Sequence, residues 1–359
     1  MQIALCHEWL TVYGGSDQVA AAIAEAFDIE DVYTFAQDPA LSAELFPGSN
    51  VETAHRVGDT DFARRHWGWL LPVMPYAWRR LDLSGYDLVI TSSHSCVNAI
   101  RAPRDTPVIS YCHTPVRYGW EWRDELDRFP APIRPVWPAA AAALRSADKR
   151  WSSRVTTFVA NSRNIADRID RYYGRPAHVV HPPIDIEYWT PDRDVAREDF
   201  YLYAGRLVSY KRPDLAIGAA NESRTRLVVA GAGPEARHLR AMAGPTVSFI
   251  EAPPRDELRN LYRRARALVF PGIEDFGMTL VEAQACGAPV LAFRRGGALE
   301  TVVDGVTGRL YAPGTVQDLA RELRSFGPDE YSTEDIRSNA LRFAPEIFAE
   351  RMRAIVSAT

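Results

Sequence analysis

Short apolar runs alternate with amphipathic segments through the first half of the chain. Residues 2–7 predict a buried strand, and residues 18–27 predict a helix with its apolar side chains on one face, capped by Ser16. A second helix over 164–173 ends at Gly174, a common residue after a helix. Further strands are predicted over residues 31–35, 88–92, 108–112, 156–160 and 178–181. Strands separated by helices indicate a parallel sheet with right-handed crossovers.

The same alternation restarts after a polar break. The run PPID and the polar residues behind it predict a linker over 186–199, between a domain over 1–185 and a second over 200–340. Strands are predicted over 200–204, 227–230, 247–250, 268–271 and 290–293. Helices are predicted from Pro213 and over 235–243, 256–265, 278–286 and 345–356. This pattern predicts an α/β fold of two doubly wound, Rossmann-like domains facing across a cleft, with ligands at the carboxyl ends of the strands.

Composition fits two globular domains. Of 359 residues, 47% are hydrophobic and 25% charged, which is enough apolar material for a core in each half. The net charge of −4 argues against a general nucleic-acid binder, which would carry a basic excess. No apolar run approaches the ~18 residues that span a bilayer. The chain starts without a basic leader, so we expect a cytoplasmic protein.

The counts and positions of cysteine, tryptophan and lysine limit the kinds of site that the chain can contain. The four cysteines follow no CxxC or CxxxC spacing, so neither a zinc site nor a disulfide framework is predicted. All nine tryptophans lie at or before Trp189, which indicates two domains with different tasks. Only two of the 42 basic residues are lysines, Lys149 and Lys211. In a chain that favours arginine so strongly, each lysine is a candidate functional group.

The first candidate site follows the strand predicted over 268–271. The run GIEDFGMTLVEA leads from a glycine-containing turn into a helix, whose first-turn N–H groups attract an anion. Glu282 lies just over one turn inside that helix, where it can reach a ribose. Glu274 lies at the rim of the loop, where a sugar attached to the phosphate would lie. One capping acid and one solvated acid would produce the same spacing, so both interpretations stay open.

A second loop offers cations in the run AGRLVSYKRP. Arg206 and Lys211 lie five residues apart between a strand and a helix that begins at Pro213. They can converge on a diphosphate, the arginine as a bidentate fork and the lysine as a point charge. Two ordinary surface cations are the alternative, and the scarcity of lysine favours the functional interpretation.

Two features of the first domain lie near the same predicted edge. Gly14 and Gly15 follow the first strand and the run HEW, and adjacent glycines allow close backbone approach to a phosphate or a sugar. A plain turn is the more frequent cause of such a pair. His113, in the run YCHTP, follows a buried strand at its carboxyl end. A lone histidine there is usually structural, but this one lies where ligands of the first domain are expected.

Together these motifs resemble those of the retaining glycosyltransferases of family four, which have the GT-B fold. The matching runs are EDFG, VEA and CG.PV around the two glutamates, GRL..YKR, YCHTP.RY.W and ANS…R…YYGR.A.VV.PP.D. They extend from about residue 1 to 310, nearly the whole chain. The resemblance is greatest to bacterial mannosyltransferases that build O-antigen and other surface polysaccharides. It implies that the segment 341–359 forms a helix that packs back towards the first domain.

The resemblance also implies roles for the candidate residues. Arg206 and Lys211 would hold the donor diphosphate, and Glu282 the ribose. Glu274 would contact sugar hydroxyls, and His113 would lie against the reacting sugar, which makes these two the catalytic candidates. Backbone contacts to phosphate, sugar or acceptor would come from Gly277, Met278, Thr279, Leu280, Gly14 and Gly15.

The implied reaction moves a hexose from a nucleoside diphosphate to an acceptor hydroxyl with retention of configuration. GDP-mannose is the expected donor, and a lipid-linked sugar of a surface polysaccharide or glycolipid is one expected acceptor. No cofactor and no metal are expected, since the cations neutralise the leaving group. The pairs Asp59/Asp61 and Asp192/Asp194 are interpreted as solvated acids in polar loops.

Other functions stay open. A UDP- or TDP-sugar donor with a small-molecule acceptor is one. A nucleotide-sugar epimerase would bind the donor without an acceptor, a sugar phosphorylase would need a pyridoxal lysine, and a sugar-nucleotide sensor would bind without turnover.

Two departures from the family pattern concern the part of the chain expected to bind the donor. EAPP over 251–254 replaces a turn that often contains glycine near the nucleobase, and Arg294 and Arg295 stand where smaller residues are common.

The segment 61–80 (DFARRHWGWLLPVMPYAWRR) combines four arginines with three tryptophans. Such a mixture suits a segment that docks on anionic lipid at the inner face of a membrane. A helical hairpin that packs its tryptophans into the first domain explains the pattern equally well.

Overall fold

A computed structural model describes residues 1–123, 134–312 and 314–359. The chain divides into two compact units, residues 1–183 with 346–359 and residues 184–345. Each unit contains one parallel sheet with helices packed on it. The predicted fold class, two doubly wound Rossmann-like domains, is therefore confirmed. The segment 186–199, predicted as a linker, contains no helix or strand and belongs to the second unit.

The sheet of the first unit has seven parallel strands in the order β3-β2-β1-β4-β5-β6-β7. They are β1 Ile3–His7, β2 Asp31–Thr34, β3 Asn50–Thr53, β4 Leu88–Ser93, β5 Val108–Cys112, β6 Thr157–Ala160 and β7 Ala177–Val179. Strands β1, β4 and β5 are buried along their whole length because both faces of the sheet are covered. The chain order reverses between β1 and β4, so the carboxyl ends of these two strands adjoin the switch point.

Seven helices are described in the first unit before the chain leaves it. They are α1 Gly15–Ala26, α2 Pro39–Leu45, α3 Asp61–His66, α4 Met74–Arg80, α5 Arg117–Trp120, α6 Trp137–Ser152 and α7 Arg163–Tyr173. Helix α7 ends where the sequence predicts, at Gly174 with φ of +66°. The alanine run over 139–143 lies inside α6, a helix that the apolar pattern did not reveal.

The sheet of the second unit has six parallel strands in the order β10-β9-β8-β11-β12-β13. They are β8 Tyr201–Ala204, β9 Leu227–Ala230, β10 Val247–Ile250, β11 Ala267–Phe270, β12 Val290–Phe293 and β13 Gly308–Tyr311. The helices are α8 Pro213–Ser223, α9 Ala236–Met242, α10 Arg255–Arg264, α11 Met278–Ala285, α12 Ala298–Thr301, α13 Val316–Ser325 and α14 Thr333–Leu341. The edge strand β13 and the helices α13 and α14 were not predicted.

The last helix, α15 Pro345–Ser357, returns the chain to the first unit. Phe348 and Met352 are buried in a core shared with Ile23 and Tyr111. The rings of Phe348 and Tyr111 lie 5.8 Å apart in an edge-to-face arrangement. The structure thus places the end of the chain in the first unit, in line with the GT-B arrangement.

Candidate functional site

Two loops of the second unit meet through one ion pair. The loop after β8 contains a 3-10 turn, Ser209–Lys211, and the loop after β11 contains Glu274. Nζ of Lys211 lies 2.8 Å from Oε1 of Glu274, and the two side chains are only 15% and 14% exposed. Burial lowers the pKa of Lys211, but the charge and hydrogen bonding of Glu274, together with the effect of Tyr210, more than offset this, so the pKa lies above its ordinary value. Lys211 is therefore held as a cation beside an acid.

Arg206 lies on the same loop as Lys211 and is exposed to solvent. Its Nη2 donates a hydrogen bond to Oη of Tyr210 at 3.2 Å. Its charge is close enough to act against the protonation of Lys211. The two predicted diphosphate ligands are thus neighbours, one largely enclosed by protein and one at the surface.

Glycines bring the loops around this pair into backbone contact. A Cβ on Gly272 would lie 2.6 Å from the carbonyl oxygen of Lys211, and one on Gly297 would lie 2.1 Å from that of Phe276. The N–H of Gly297 also donates to the carbonyl oxygen of Glu274 at 2.8 Å. Because no side chain fits at these contacts, glycine sets the approach of the loops that carry Lys211 and Glu274.

Helix α11 begins directly after the loop of Glu274. Gly277 precedes its first residue with φ of +94°, and no described side chain caps the helix. The N–H of Leu280 donates to the carbonyl oxygen of Gly277 at 3.0 Å. Among the predicted backbone contacts, the N–H groups of Met278 and Thr279 are therefore the better donors to an anion.

Glu282 lies on α11 and is half-buried. Oη of Tyr262 donates to its Oε2 at 3.3 Å. Burial raises the pKa of Glu282 to about 7, while the bond from Tyr262 and the charges of Arg255 and Lys211 lower it. The carboxyl group is therefore divided between its neutral and ionised forms near neutral pH. The sequence did not reveal Tyr262, because a buried tyrosine on an amphipathic helix has the pattern of a core residue.

The two departures near the predicted donor site have different outcomes. Ala252 has φ of +43°, in the left-handed region that favours glycine, so the EAPP turn keeps a glycine-like backbone without a glycine. Arg294 forms an ion pair with Asp304 and donates to the carbonyl oxygen of Leu310. Arg294 thus links the end of β12 to the edge strand β13.

In the first unit, a buried polar chain lies at the carboxyl ends of β1, β4 and β5. Oδ1 of Asp17 lies 2.8 Å from Nε2 of His7, and Nδ1 of His7 lies 2.9 Å from Oγ of Ser92. The same Oγ lies 2.8 Å from Nε2 of His113. Burial, and to a smaller degree repulsion from His7 when that ring is protonated, lowers the pKa of His113 to about 3. His113 is therefore a neutral imidazole in physiological conditions.

The double glycine adjoins this chain. Gly14 precedes α1 and Gly15 is the first residue of the helix. The N–H of Asp17 donates to the carbonyl oxygen of Gly14 at 3.2 Å, and a Cβ on Gly14 would lie 3.3 Å from Oδ2 of Asp17. The structure therefore brings Gly14, Gly15 and His113 to one edge of the first sheet.

Sequence reasoning assigned no role to His7, Asp17, Ser92 or Glu8. Glu8 is fully buried, and its Oε1 accepts from the backbone N–H groups of Ser95 and Val97 at 2.7 and 2.9 Å. Burial raises the pKa of Glu8 to about 7. Two adjacent ionisable residues at the end of an apolar strand, His7 and Glu8, were the available signal.

The segment 61–80 is divided between core and surface. Met74 and Trp78 are fully buried, and the ring of Trp67 stacks on that of Trp9 at 3.9 Å. Trp69 is 76% exposed. The other exposed apolar residues of the segment are Phe62, Val73 and Tyr76. Neither the hairpin interpretation nor the surface interpretation describes the whole segment.

The acidic pairs lie in ordinary polar contacts. Oδ1 of Asp59 accepts from the hydroxyl of Thr53, and Oδ1 of Asp192 accepts from the N–H of Asp194. Across residues 1–123, 134–312 and 314–359, no group of three or more His, Cys, Asp or Glu side chains is arranged to hold a metal ion. Over the same residues, no helix has the length and apolar character needed to cross a bilayer.

Two family models match the chain, one for each unit. Residues 13–188 match the model described as Glycosyltransferase Family 4, and residues 192–343 match Glycosyl transferases group 1. A D-inositol 3-phosphate glycosyltransferase of Kribbella flavida is 35% identical over 219 residues, 52% of this chain and 52% of the relative. One of Mycobacterium avium is 35% identical over 179 residues, 43% of this chain and 42% of the relative. The chain spans about half the length of the curated relatives it matches.

Solved structures share the fold at low sequence identity. HepE of Anabaena, in complex with UDP and glucose, superposes with a TM-score of 0.75 at 17% identity over 100% of both chains. The sucrose-phosphate synthase of Thermosynechococcus elongatus superposes with a TM-score of 0.74 at 19% identity, again over 100% of both chains.

Proposed function

The chain belongs to the glycosyltransferases that join a family 4 domain to a group 1 domain, and from this premise we propose a specific reaction. The protein transfers a hexose from a nucleoside diphosphate to an acceptor hydroxyl and retains the configuration at the anomeric carbon. The observation that carries the proposal is the contact of Lys211 with Glu274 beside the start of α11. A cation for the diphosphate and an acid for the sugar hydroxyls lie together there.

In the free protein, Lys211 and Glu274 neutralise each other. A bound diphosphate replaces Glu274 as the partner of Lys211, with Arg206 as a second cation at the surface. Glu274 then accepts hydrogen bonds from hydroxyls of the transferred sugar. Negative charge grows on the diphosphate as the bond to the sugar breaks, and a donor already aimed at that charge is typically worth ~3–4 kcal/mol of barrier. On this mechanism the side chains and the helix N–H groups stabilise the leaving group without a metal.

Two further residues have proposed roles, one in each unit. Glu282, in its ionised form, accepts hydrogen bonds from the two ribose hydroxyls. His113 contacts the transferred sugar as a neutral ring, since its pKa of about 3 keeps a second proton off at neutral pH. A neutral imidazole adds no positive charge that would compete with the charge developing on the anomeric carbon.

We propose two candidate donors. GDP-mannose follows from the resemblance to bacterial mannosyltransferases, with a surface polysaccharide or glycolipid as the product. A UDP-hexose is the second candidate, favoured by the fold neighbour HepE, which is described in complex with UDP-glucose and with UDP. Both donors place the same diphosphate on Lys211 and differ at the nucleobase, where the turn around Ala252 departs from the usual glycine.

One experiment tests the reaction and names the donor. Melting temperatures are measured with GDP, UDP, ADP and TDP, because a ligand at 100 times its Kd adds about 2.7 kcal/mol of stability. The nucleotide that raises the melting temperature then selects the sugar donors for assay with saccharide and lipid-linked acceptors, and NMR of the product reports the anomeric configuration. A product with inverted configuration overturns the proposed mechanism. Conversion of the donor alone to its epimer overturns the transferase assignment.

We also propose that the segment 61–80 docks on an anionic membrane surface, which would bring the enzyme to a lipid-linked acceptor. The exposed Trp69 and its apolar neighbours share the segment with the exposed Arg65, Arg79 and Arg80. This combination suits insertion among acidic headgroups. Burial and the nearby charges of Arg101 and Arg79 lower the pKa of Arg154, so a wider cationic surface adjoins the segment.

A further inference from the structure

The buried chain Asp17–His7–Ser92–His113 connects helix α1 to the histidine proposed to contact the transferred sugar. We propose that Asp17, His7 and Ser92 are positioning residues that hold His113 with its proton on Nε2, so that Nδ1 accepts a hydrogen bond from a hydroxyl of that sugar. The identity of the hydroxyl rests on the proposed function; the arrangement of protons does not.

The geometry of the chain is continuous and closed to water along its length. Its three links measure 2.8, 2.9 and 2.8 Å from one heavy atom to the next. His7 and Ser92 are fully buried, and Asp17 is 4% exposed. The residues come from α1, β1 and β4, with His113 just after β5, so the packing of the sheet fixes all four groups.

The direction of each hydrogen bond follows from the first one. A carboxylate can only accept, so Nε2 of His7 carries a proton and donates to Asp17. If His7 carries only this proton, its Nδ1 must accept, and the hydroxyl of Ser92 donates its hydrogen to that nitrogen. Oγ of Ser92 has only lone pairs left for His113, whose Nε2 must be the donor. His113 is a neutral ring with one N–H, so its Nδ1 carries a lone pair.

Nδ1 of His113 is open to a ligand. It makes no hydrogen bond within the described part of the chain, and it is not among the polar atoms sealed from solvent. His113 keeps a small exposed fraction, 9%. Nδ1 of His113 is thus a hydrogen-bond acceptor, and its freedom from a proton depends on Asp17, three hydrogen bonds away.

The other groups around the chain do not replace Asp17 in this role. Glu8 follows His7 directly after β1. Its Oε1 accepts from backbone N–H groups, and its Oε2 makes no hydrogen bond to His7 or to any other described residue. The ring of His94 lies 6.0 Å from those of His7 and His113, and the ring of Tyr111 lies 5.2 Å from that of His113. A second proton on His7 would reverse the His7–Ser92 and Ser92–His113 bonds, leave the bond to Asp17 unchanged, and place the proton of His113 on Nδ1, which would then be a donor.

The first test measures the tautomer without any substrate. Protein labelled with 15N-histidine gives long-range proton–nitrogen spectra that distinguish a proton on Nε2 from one on Nδ1, and a His113→Gln variant assigns the His113 signals among the eight histidines. We expect the Nε2 form in the wild type. Asp17→Asn, which can donate as well as accept, and Ser92→Ala should each lose that preference. A proton on Nδ1 in the wild type, or an unchanged tautomer in both variants, overturns the proposal.

The second test is kinetic and uses matched controls. Glu25→Gln removes an exposed acid from the same helix, and Ser93→Ala removes a neighbouring buried hydroxyl outside the chain. We expect kcat to fall about 10- to 100-fold in Asp17→Asn and Ser92→Ala, the loss for one unsatisfied buried group, with the KM for the donor little changed and the controls near wild type.

The outcomes separate this inference from the proposed function. Unchanged kcat in both variants, with the tautomer lost, overturns the positioning role. If the wild type transfers no hexose from any nucleotide sugar, the proposed function fails, and the spectra of the free protein still decide the arrangement of protons. If Ser92→Ala does not fold, the tautomer spectra and kcat are both measured on Asp17→Asn, whose side chain has the same shape as aspartate.

Discussion

Nζ of Lys211 lies 2.8 Å from Oε1 of Glu274, although the two residues follow different strands, β8 and β11. These strands are neighbours because the sheet reverses its chain order there. The proposed donor site of the second unit thus lies at its topological switch point, where α/β sheets commonly bind ligands. The first unit repeats the principle, since β1 and β4 bring His7 beside Ser92.

Removal of the cation at this pair should abolish most of the activity. Lys211→Ala takes away the cation proposed to face the leaving diphosphate, so we expect turnover to fall at least ~100-fold and the melting shift with nucleotide to disappear. Lys149→Ala is the control, because it removes the other lysine, which is exposed on α6. Near-normal turnover in a folded Lys211→Ala protein would show that the diphosphate binds elsewhere.

Donor affinity should depend on pH through Glu282. Its pKa of about 7 leaves the carboxyl mostly neutral at pH 6 and mostly ionised at pH 8, and only the ionised form accepts from both ribose hydroxyls. We expect the Kd for a nucleotide sugar to tighten about tenfold over that range, as the ionised fraction rises. A nucleotide sugar is used because it lacks the terminal phosphate ionisation near pH 6.

Calorimetry on matched variants checks this prediction. Glu282→Gln should bind weakly with no pH dependence, while Glu257→Gln, an exposed acid on α10, should behave like the wild type. The same pH dependence in Glu282→Gln would assign the titration to another group.

Glu8 should make the fold less stable as pH rises. Its pKa is about 7 when folded against an ordinary 4.5, so between these values the folded state binds a proton that the unfolded state lacks. Stability then falls by about 1.4 kcal/mol for each pH unit and levels off above pH 7, ~3 kcal/mol in all. Glu8→Gln keeps the acceptor for Ser95 and Val97 without this ionisation.

Urea unfolding from pH 4.5 to 8 measures the effect. The stability of Glu8→Gln relative to the wild type should increase up to pH 7 and then stay constant, whereas the exposed Glu25→Gln on α1 should show no such trend. A pH-independent difference would contradict the raised pKa.

The glycine contacts between the loops that carry Lys211 and Glu274 should not tolerate a methyl group. A Cβ on Gly272 would lie 2.6 Å from the carbonyl oxygen of Lys211, so Gly272→Ala must displace the loop that carries the lysine. We expect a loss of ~1–3 kcal/mol in the free energy of unfolding and a weaker melting shift with nucleotide. Gly85→Ala, with no atom within 4 Å of the new Cβ, should change neither quantity.

Membrane docking should depend on Trp69. Co-sedimentation with vesicles at low salt should show binding to anionic and not to zwitterionic lipid, because the segment combines exposed arginines with exposed apolar residues. Trp69→Ser should weaken binding about tenfold or more. Leu299→Ser, at an exposed apolar residue of the second unit, should bind as the wild type does. Failure to bind anionic vesicles would remove the proposal.

Local patterns were sufficient for most of the buried elements. Strands such as β9 and β12 consist of apolar residues bounded by polar or glycine-containing turns, so their limits are visible in the sequence. The edge strand β3 was missed because its residues are exposed or half-buried and show no apolar run. Helix α6 was missed because a run of alanines has too little hydrophobic contrast to mark a face.

The sequence by itself determined the two-domain α/β class and the residues that carry charge at strand ends, because apolar periodicity and loop motifs are local properties. Only the tertiary structure decided which of those residues meet. Strand order placed Lys211 against Glu274, and the register of β1 with β4 joined Asp17 and His7 to His113 through Ser92. Burial among those strands then shifted the pKa values of Glu8, His113 and Glu282. A pKa depends on what surrounds the group in three dimensions, and that is set by contacts between residues far apart in the chain.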